Sequence, residues 1–391
     1  MDFEPKEEQR QLADALRRWI ERDYTFAARR EIVRSPGGMS PAAWQVLVEL
    51  GLTALPVPEA HGGFGGTAAD MFFVMQELGR GLVVEPYFPT VLGARLLQLA
   101  GGQGALLERV AAGQAKLACA LGEAQSRHDL ADIATTVSGP VDALAVSGVK
   151  TVVDGGGQAD AFIVSARRDG GRRDRGGIVL LLVDADTSGV VIRDGRTIDG
   201  RRTASVTFDH APATLLGDLG PEGKPGKEGD GWPMLEAAAD WGAALLCAEA
   251  VGAMDALFAA TLDYTRTRRQ FGAPIGSFQA LQHRMADMFV HLEQARSLAM
   301  LAAARGESGD ADERRRAVSA AKARVGQAAR FVGQEAVQLH GGMGVTDELP
   351  AAHWFKRLTA IGLTLGDTDH HMRRFVEQPG FRMEPRPGAI A

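Results

Sequence analysis

Along the first third of the chain, apolar residues recur at helical intervals. Between Lys6 and Arg22, Leu12, Leu16, Trp19 and Ile20 share one helical face, and the same spacing returns over 41–51, 68–80 and 91–112. Residues 1–115 therefore read as a helical N-terminal domain. The pattern is interrupted by PVPEAHGGFGG, 56–66, where proline and glycine forbid a helix and make a loop. From Lys116 the period shortens. TTVSG, ALAVSG, AFIVSA, GIVLLLVDA, GVVIR and ASVTFDH alternate with Gly, Asp and Arg turns, which predicts an antiparallel sheet domain over 116–228 rather than strand–helix–strand units. RRDGGRRDRGG, 167–177, reads as a solvated hairpin loop. After a Gly, Pro and Lys linker, LGPEGKPGKEGDGW, long Ala- and Leu-rich runs over 235–268, 278–306, 311–341 and 350–376 predict four or five long helices in a C-terminal domain, 229–391. The order helical, sheet, helical is an α+β fold, and no solenoid period is present.

Composition narrows the function classes. Hydrophobic residues at 45% and charged residues at 24% are ordinary for a globular chain, and a formal charge of -6 provides no basic field for nucleic acid. No run of about 18 apolar residues stands out, so no membrane insertion is expected. The two cysteines, Cys119 and Cys247, are far apart without a CxxC, which fits buried thiols in a reducing, cytoplasmic setting.

LTLGDTDHHMRRF, 363–375, concentrates Asp367, Asp369, His370 and His371. On a helix, Asp367, His370 and His371 stand at i, i+3 and i+4 on one face. That spacing suits a metal site, an acid–base cluster or an exposed helix end alike.

Two further stretches are more specific. YTRTRRQFGAPIGSFQALQHRMADM, 264–288, joins a basic helix end (Arg268, then Phe271-Gly272) to a turn that starts the next helix near Gln279. QLHGGMGVTDELPAAHWFKR, 338–357, carries Gly341, Gly342 and Gly344, where backbone can approach a ligand closely. Together, after a sheet domain, these motifs resemble the acyl-CoA dehydrogenase family of flavoproteins along essentially the whole chain. LCAEAVGAMDAL, RRQFGAPIGSFQALQH, RRRAVSAAKARVG and HWFKRLTAIGLTLGDTDHH are most similar to the small subunit of the pimeloyl-CoA dehydrogenase type.

The resemblance implies a helical N-terminal domain, a middle β-barrel domain and a C-terminal four-helix bundle that also mediates assembly. It implies FAD bound without a Rossmann motif. Arg268 would neutralise the pyrophosphate, Phe271 and Gln279 would pack and bond near it, and Gln338, Gly341 and Gly342 would present backbone amides from across a dimer. The segment containing Asp367 would close the flavin site, its Asp and His residues capping the last helix rather than holding metal. The implied reaction is α,β-dehydrogenation of an acyl-CoA to a trans-2-enoyl-CoA: a carboxylate takes the α proton, hydride leaves to the flavin, and an electron-transfer flavoprotein receives the electrons.

The chain departs from its relatives where the base belongs. One usual Glu position falls at Leu365 or Gly366, the other at Gly242, with Ala243 replacing a neighbouring Arg. Asp367 and Asp240 are the candidate replacements, and Glu249 lies two turns beyond Gly242. The sheet domain has Gly122-Glu123-Ala124 for the usual Thr-Glu-Pro, and Lys150-Thr151-Val152-Val153-Asp154 for Lys-x-Trp-Ile-Thr. Two assignments follow: a catalytic dehydrogenase subunit, or a non-catalytic partner completing the FAD site of a larger, base-bearing subunit. Dicarboxylyl substrates such as pimeloyl-CoA, and either a hetero- or a homo-oligomer, are the corresponding expectations.

Overall fold

The computed structural model describes residues 5–217, 231–378 and 381. Most of the predicted linker, 219–232, lies outside them. The chain divides into two compact units, 1–242 and 243–391, with the division inside one long helix.

The first unit opens with α1 (Glu7–Arg22), which buries Ala13, Leu16, Trp19 and Ile20. The next helix, α2 (Phe26–Arg34), escapes the apolar pattern because its buried residue is Arg29. That guanidinium reaches distant chain, donating to the carbonyls of Leu82 at 2.8 Å and Asp199 at 2.7 Å. α3 (Pro41–Glu49) and α4 (Ala68–Arg80) fall where the pattern placed them, capped by Ser40 and Thr67. The single helix expected over 91–112 is two, α5 (Tyr87–Ala100) and α6 (Gly104–Ala111). Gly101 and Gly102 separate them at φ +73° and +75°, a left-handed conformation that ends a helix.

The sheet comprises β1 (Leu117–Ala120), β2 (Thr136–Ser138), β3 (Leu144–Asp154), β4 (Ala161–Arg167), β5 (Ile178–Asp184), β6 (Val190–Arg196) and β7 (Arg202–Leu216). Strands β4, β2, β3, β7 and β5 pair in that order and β5 pairs back to β4, so the sheet closes into a barrel. Phe162 and Phe208 meet edge to face inside it, 6.1 Å apart, among Val146, Val164, Leu181 and Val206. The expectation of a wholly antiparallel sheet is corrected at β4, which pairs in parallel with β1 (Leu117 opposite Ala161) and with β2. Alternation marks which face of a strand is buried but not the direction of its neighbour.

The loop 167–177 does connect antiparallel β4 and β5. It is not simply solvated, however. Arg167 is 7% exposed and donates to five backbone carbonyls, those of Ala131, Asp169, Arg172, Asp174 and Gly176. Arg172 and Arg173 both bind the buried Asp132 carboxylate.

The C-terminal helices are α7 (Gly231–Thr267), α8 (Gln279–Arg305), α9 (Ala311–His340), α10 (Pro350–Leu363) and α11 (Thr368–Val376). The run expected over 350–376 is broken at 364–367 into two. α7 also corrects the membrane reading: it is long and apolar enough to span a bilayer, but 78% of its apolar window is buried inside the protein. Of the two thiols, Cys247 is buried as expected and Cys119 only partly so.

Candidate functional site

Arg268 follows the last residue of α7, its amide still bonded to the Tyr264 carbonyl at 2.8 Å. The chain then turns back on itself. β8 (Arg269–Gln270) pairs with β9 (Ala273–Pro274) through a two-residue turn in which Phe271 and Gly272 both have positive φ, +52° and +78°. Glycine and asparagine suit such a turn, whereas phenylalanine there costs roughly 1 to 2 kcal/mol. The strained ring does not settle into a core: it is 93% exposed and touches Phe278 edge-on at 6.1 Å. Gln279, also exposed, begins α8.

The glycine motif lies beside this hairpin. His340, the last residue of α9, stacks on Tyr264 with ring centroids 4.5 Å apart, and its Nδ1 donates to the Ala336 carbonyl at 2.8 Å. The stack joins the ends of α7 and α9. Arg268, Phe271, Gln279, Gln338, Gly341 and Gly342 therefore occupy one end of one chain.

The Asp/His segment is resolved into a turn with a cap. Asp367 is the N-cap of α11, its carboxylate accepting the His370 amide at 2.8 Å. His371 is buried, with Nε2 donating to the Leu365 carbonyl at 2.9 Å and Nδ1 3.5 Å from Ser319 Oγ. Burial, then the nearby Lys322 charge, holds its imidazole well below the ordinary histidine range. Among the described residues no three His, Cys, Asp or Glu side chains converge on a metal position.

Asp240 lies in the first unit, 2% exposed and already engaged with other groups. Glu249, in the second, forms a buried bidentate pair with Arg357 at 2.7 and 2.8 Å. Arg357 thus occupies the Glu249 carboxylate, while Asp367 is used as a cap.

In the barrel, the two motif positions that agree with the relatives meet. Lys150 is wholly buried and donates to Glu123 at 2.8 Å, to Ser165 Oγ at 3.1 Å and to the Leu121 carbonyl at 3.3 Å. Burial alone would raise the Glu123 carboxyl, but the Lys150 charge and donors from Gln125 and Ala134 hold it at about 2. Beyond Lys150 the β3–β7 register slips, and Val152 has φ +53° and is 74% exposed. A β-branched residue is a genuine outlier in that conformation.

The families described as acyl-CoA dehydrogenase N-terminal, middle and C-terminal domain match residues 6–113, 118–211 and 229–378. The chain belongs to the acyl-CoA dehydrogenase family. It is 31% identical over 371 residues to acyl-CoA dehydrogenase IpdE2 of Mycolicibacterium smegmatis, covering 94% of this chain and 97% of that relative. A Tcur3481-Tcur3483 steroid ACAD variant superposes with a TM-score of 0.84 at 28% identity, covering 94% of this chain and 96% of that one. The ChsE4-ChsE5 complex from Mycobacterium tuberculosis gives 0.83 at 25% identity, covering 97% and 100%.

Like its family, this acyl-CoA dehydrogenase uses FAD, and its C-terminal residues fit an extended anionic cofactor. Among the described residues no carboxylate pairs with Arg268. A Cβ added at Gly272, Gly341 or Gly342 would meet nothing within 4 Å. An unpaired cation beside bare, open backbone suits a diphosphate. Sequence reasoning passed over Tyr264, His340 and Lys322. The first two sit inside the quoted motifs, and Lys322 is betrayed only by being a cation on the Val318, Ala321, Val325 face of α9.

Proposed function

We propose that this chain is a subunit of a hetero-oligomeric FAD-dependent acyl-CoA dehydrogenase, lending its FAD-binding end to a site whose base comes from a larger relative. Bound FAD supplies the hydride acceptor for oxidation of an acyl-CoA to its trans-2-enoyl-CoA. In this reading Arg268 neutralises the diphosphate, Phe271 and Gln279 flank it, and Gln338 with the amides around Gly341 and Gly342 completes the contact. The 364–367 turn closes the flavin site. Electrons then pass to an electron-transfer flavoprotein.

The observation that carries the reading is the state of the carboxylates. Leu365, Gly366 and Gly242 cannot take a proton, Asp367 caps α11, Asp240 is buried and engaged with other groups, and Glu249 is neutralised by Arg357. A general base must present a free lone pair to the α proton. One solved relative is the ChsE4-ChsE5 complex and another carries the paired name Tcur3481-Tcur3483, which supports a mixed assembly here. For the acyl group, the likeness to a pimeloyl-CoA dehydrogenase small subunit favours a dicarboxylyl chain, while the relative named a steroid ACAD favours a bulky ring system. The two free thiols support a reducing, cytoplasmic setting.

The test is co-expression with the larger acyl-CoA dehydrogenase subunit, followed by anaerobic flavin bleaching with straight-chain, dicarboxylyl and steroid acyl-CoAs. The complex should bleach while neither chain does so alone. Asp367→Asn and Asp240→Asn in this chain should leave that bleaching intact. Turnover by this chain as a homo-oligomer, at about 1 per second or faster, would overturn the proposal in favour of a catalytic subunit with its own aspartate base.

A further inference from the structure

Lys322 stands mid-way along α9 with 2% exposure, and its ammonium reaches across the break between α10 and α11. Its Nζ donates to the Ile361 carbonyl at 2.8 Å and the Gly366 carbonyl at 2.9 Å. A buried ammonium is costly unless its donors are met, and here both acceptors are backbone from the two sides of one turn. The turn itself is not relaxed. Leu365 has φ +54° and Gly366 φ +103°, and a Cβ at Gly366 would come 2.5 Å from His371 Nε2. Such a conformation persists only where its surroundings over-determine it. Lys322 holds the Gly366 carbonyl of the turn and the Ile361 carbonyl at the end of α10, and His371 holds that of Leu365.

We propose that Lys322 is a positioning residue, a proton-dependent tie that holds the 364–367 turn in the shape needed to retain flavin. This deepens the reading above and rests on it for the role of the turn. Burial pulls the Lys322 ammonium down from 10.5 to about 8, with Cys247 and Asp367 drawing it partly back. The other titratable groups around it come from every packed element. Cys247 of α7 is pushed up to about 12 by burial and stays a thiol. From α11 come His371, held neutral, and through it His370 and Arg374. α10 offers the Ile361 carbonyl, and on α8 Gln294 and His291 meet Arg324 while Arg284 pairs with Glu335. Lys322 is the member whose charge changes between pH 7 and 9.

The sign distinguishes this tie from general loosening. With a folded pKa below the unfolded value, the folded state binds fewer protons, so the Lys322 contribution to global stability rises between pH 8 and 10.5. Opening of the turn with Lys322 still buried strips the ammonium of its two carbonyls and lowers its proton affinity further, so over the start of that window the turn should loosen.

Two measurements test the proposal, one without flavin. In flavin-free protein, hydrogen exchange over 362–370, corrected for intrinsic pH dependence, should accelerate about tenfold from pH 7 to 9 as charge-assisted bonds weaken. In the protein with its co-purified partner, FAD affinity should fall about tenfold over the same range. Lys322→Met should weaken FAD by about one to two decades at pH 7 and remove the pH dependence. Lys322→Arg, whose charge persists, should retain FAD and be flat to pH 9. PH-independent exchange in the wild type, or wild-type FAD affinity in Lys322→Met, overturns the tie. If the wild type binds no FAD at all, the proposed function falls, and the exchange series, which needs no variant, still decides whether Lys322 holds the turn.

Discussion

At the scale of single residues, two kinds of charge stand out among the described residues, the buried and paired and the exposed without a paired carboxylate. Glu123 and Lys150 are of the first kind. At neutral pH Glu123→Gln leaves a buried ammonium without its counter-charge, a loss of about 3 to 5 kcal/mol. Because the Glu123 carboxyl is held at about 2 against an ordinary 4.5, its contribution is complete above pH 4.5 and lost as pH falls toward 2. Urea unfolding should therefore show the gap between wild type and Glu123→Gln closing across that window, and a pH-independent gap would count against the assignment. Arg268 is of the second kind. Removing it should leave the fold alone and lower FAD retention by about one to two decades, the worth of a charge-assisted contact of roughly 1.5 to 3 kcal/mol. Wild-type flavin content in Arg268→Ala at limiting FAD would exclude this role.

At the scale of elements, helix ends hold the candidate site. The hairpin after α7 tolerates Phe271 at a position suited to glycine, and the ring gains no burial in return. Exposed strain of this sort is what a ligand or partner surface retains. The break between α10 and α11 is the second such place. Gly366→Ala should cost about 1 to 3 kcal/mol, because the new methyl meets His371 at a φ of +103°. Thermal or urea unfolding measures it. An unchanged midpoint would mean that the turn relaxes freely and that the ties from Lys322 and His371 do not fix it.

At the scale of the whole molecule, the three-part order was legible because each part has its own period. The α1, α3, α4, α8 and α9 helices fall within a few residues of the apolar pattern. Where reading failed, a polar residue did an apolar one's work or a glycine pair interrupted a continuous pattern. α2 is buried through Arg29, and Gly101 and Gly102 divide α5 from α6. α7 illustrates the converse: its composition alone does not distinguish a membrane span from a helix surrounded by protein, and its burial decides the matter. Assembly belongs to this scale too: the proposed mixed oligomer would set a base-bearing chain beside the exposed Arg268 and Phe271 end of this one.

The sequence by itself determined the family, the order of the domains and the residue types offered to FAD, since periodicity and short motifs are local properties. The resemblance places non-ionisable Leu365, Gly366 and Gly242 where a base is expected. Which charges are free was decided only by the tertiary structure. Glu249 and Lys322 are unremarkable letters until folding brings Arg357 and the carbonyls of Ile361 and Gly366 to them across up to 108 residues of chain. Hydrogen bonding and burial set the reactivity of an ionisable group, and both depend on neighbours that no local pattern specifies.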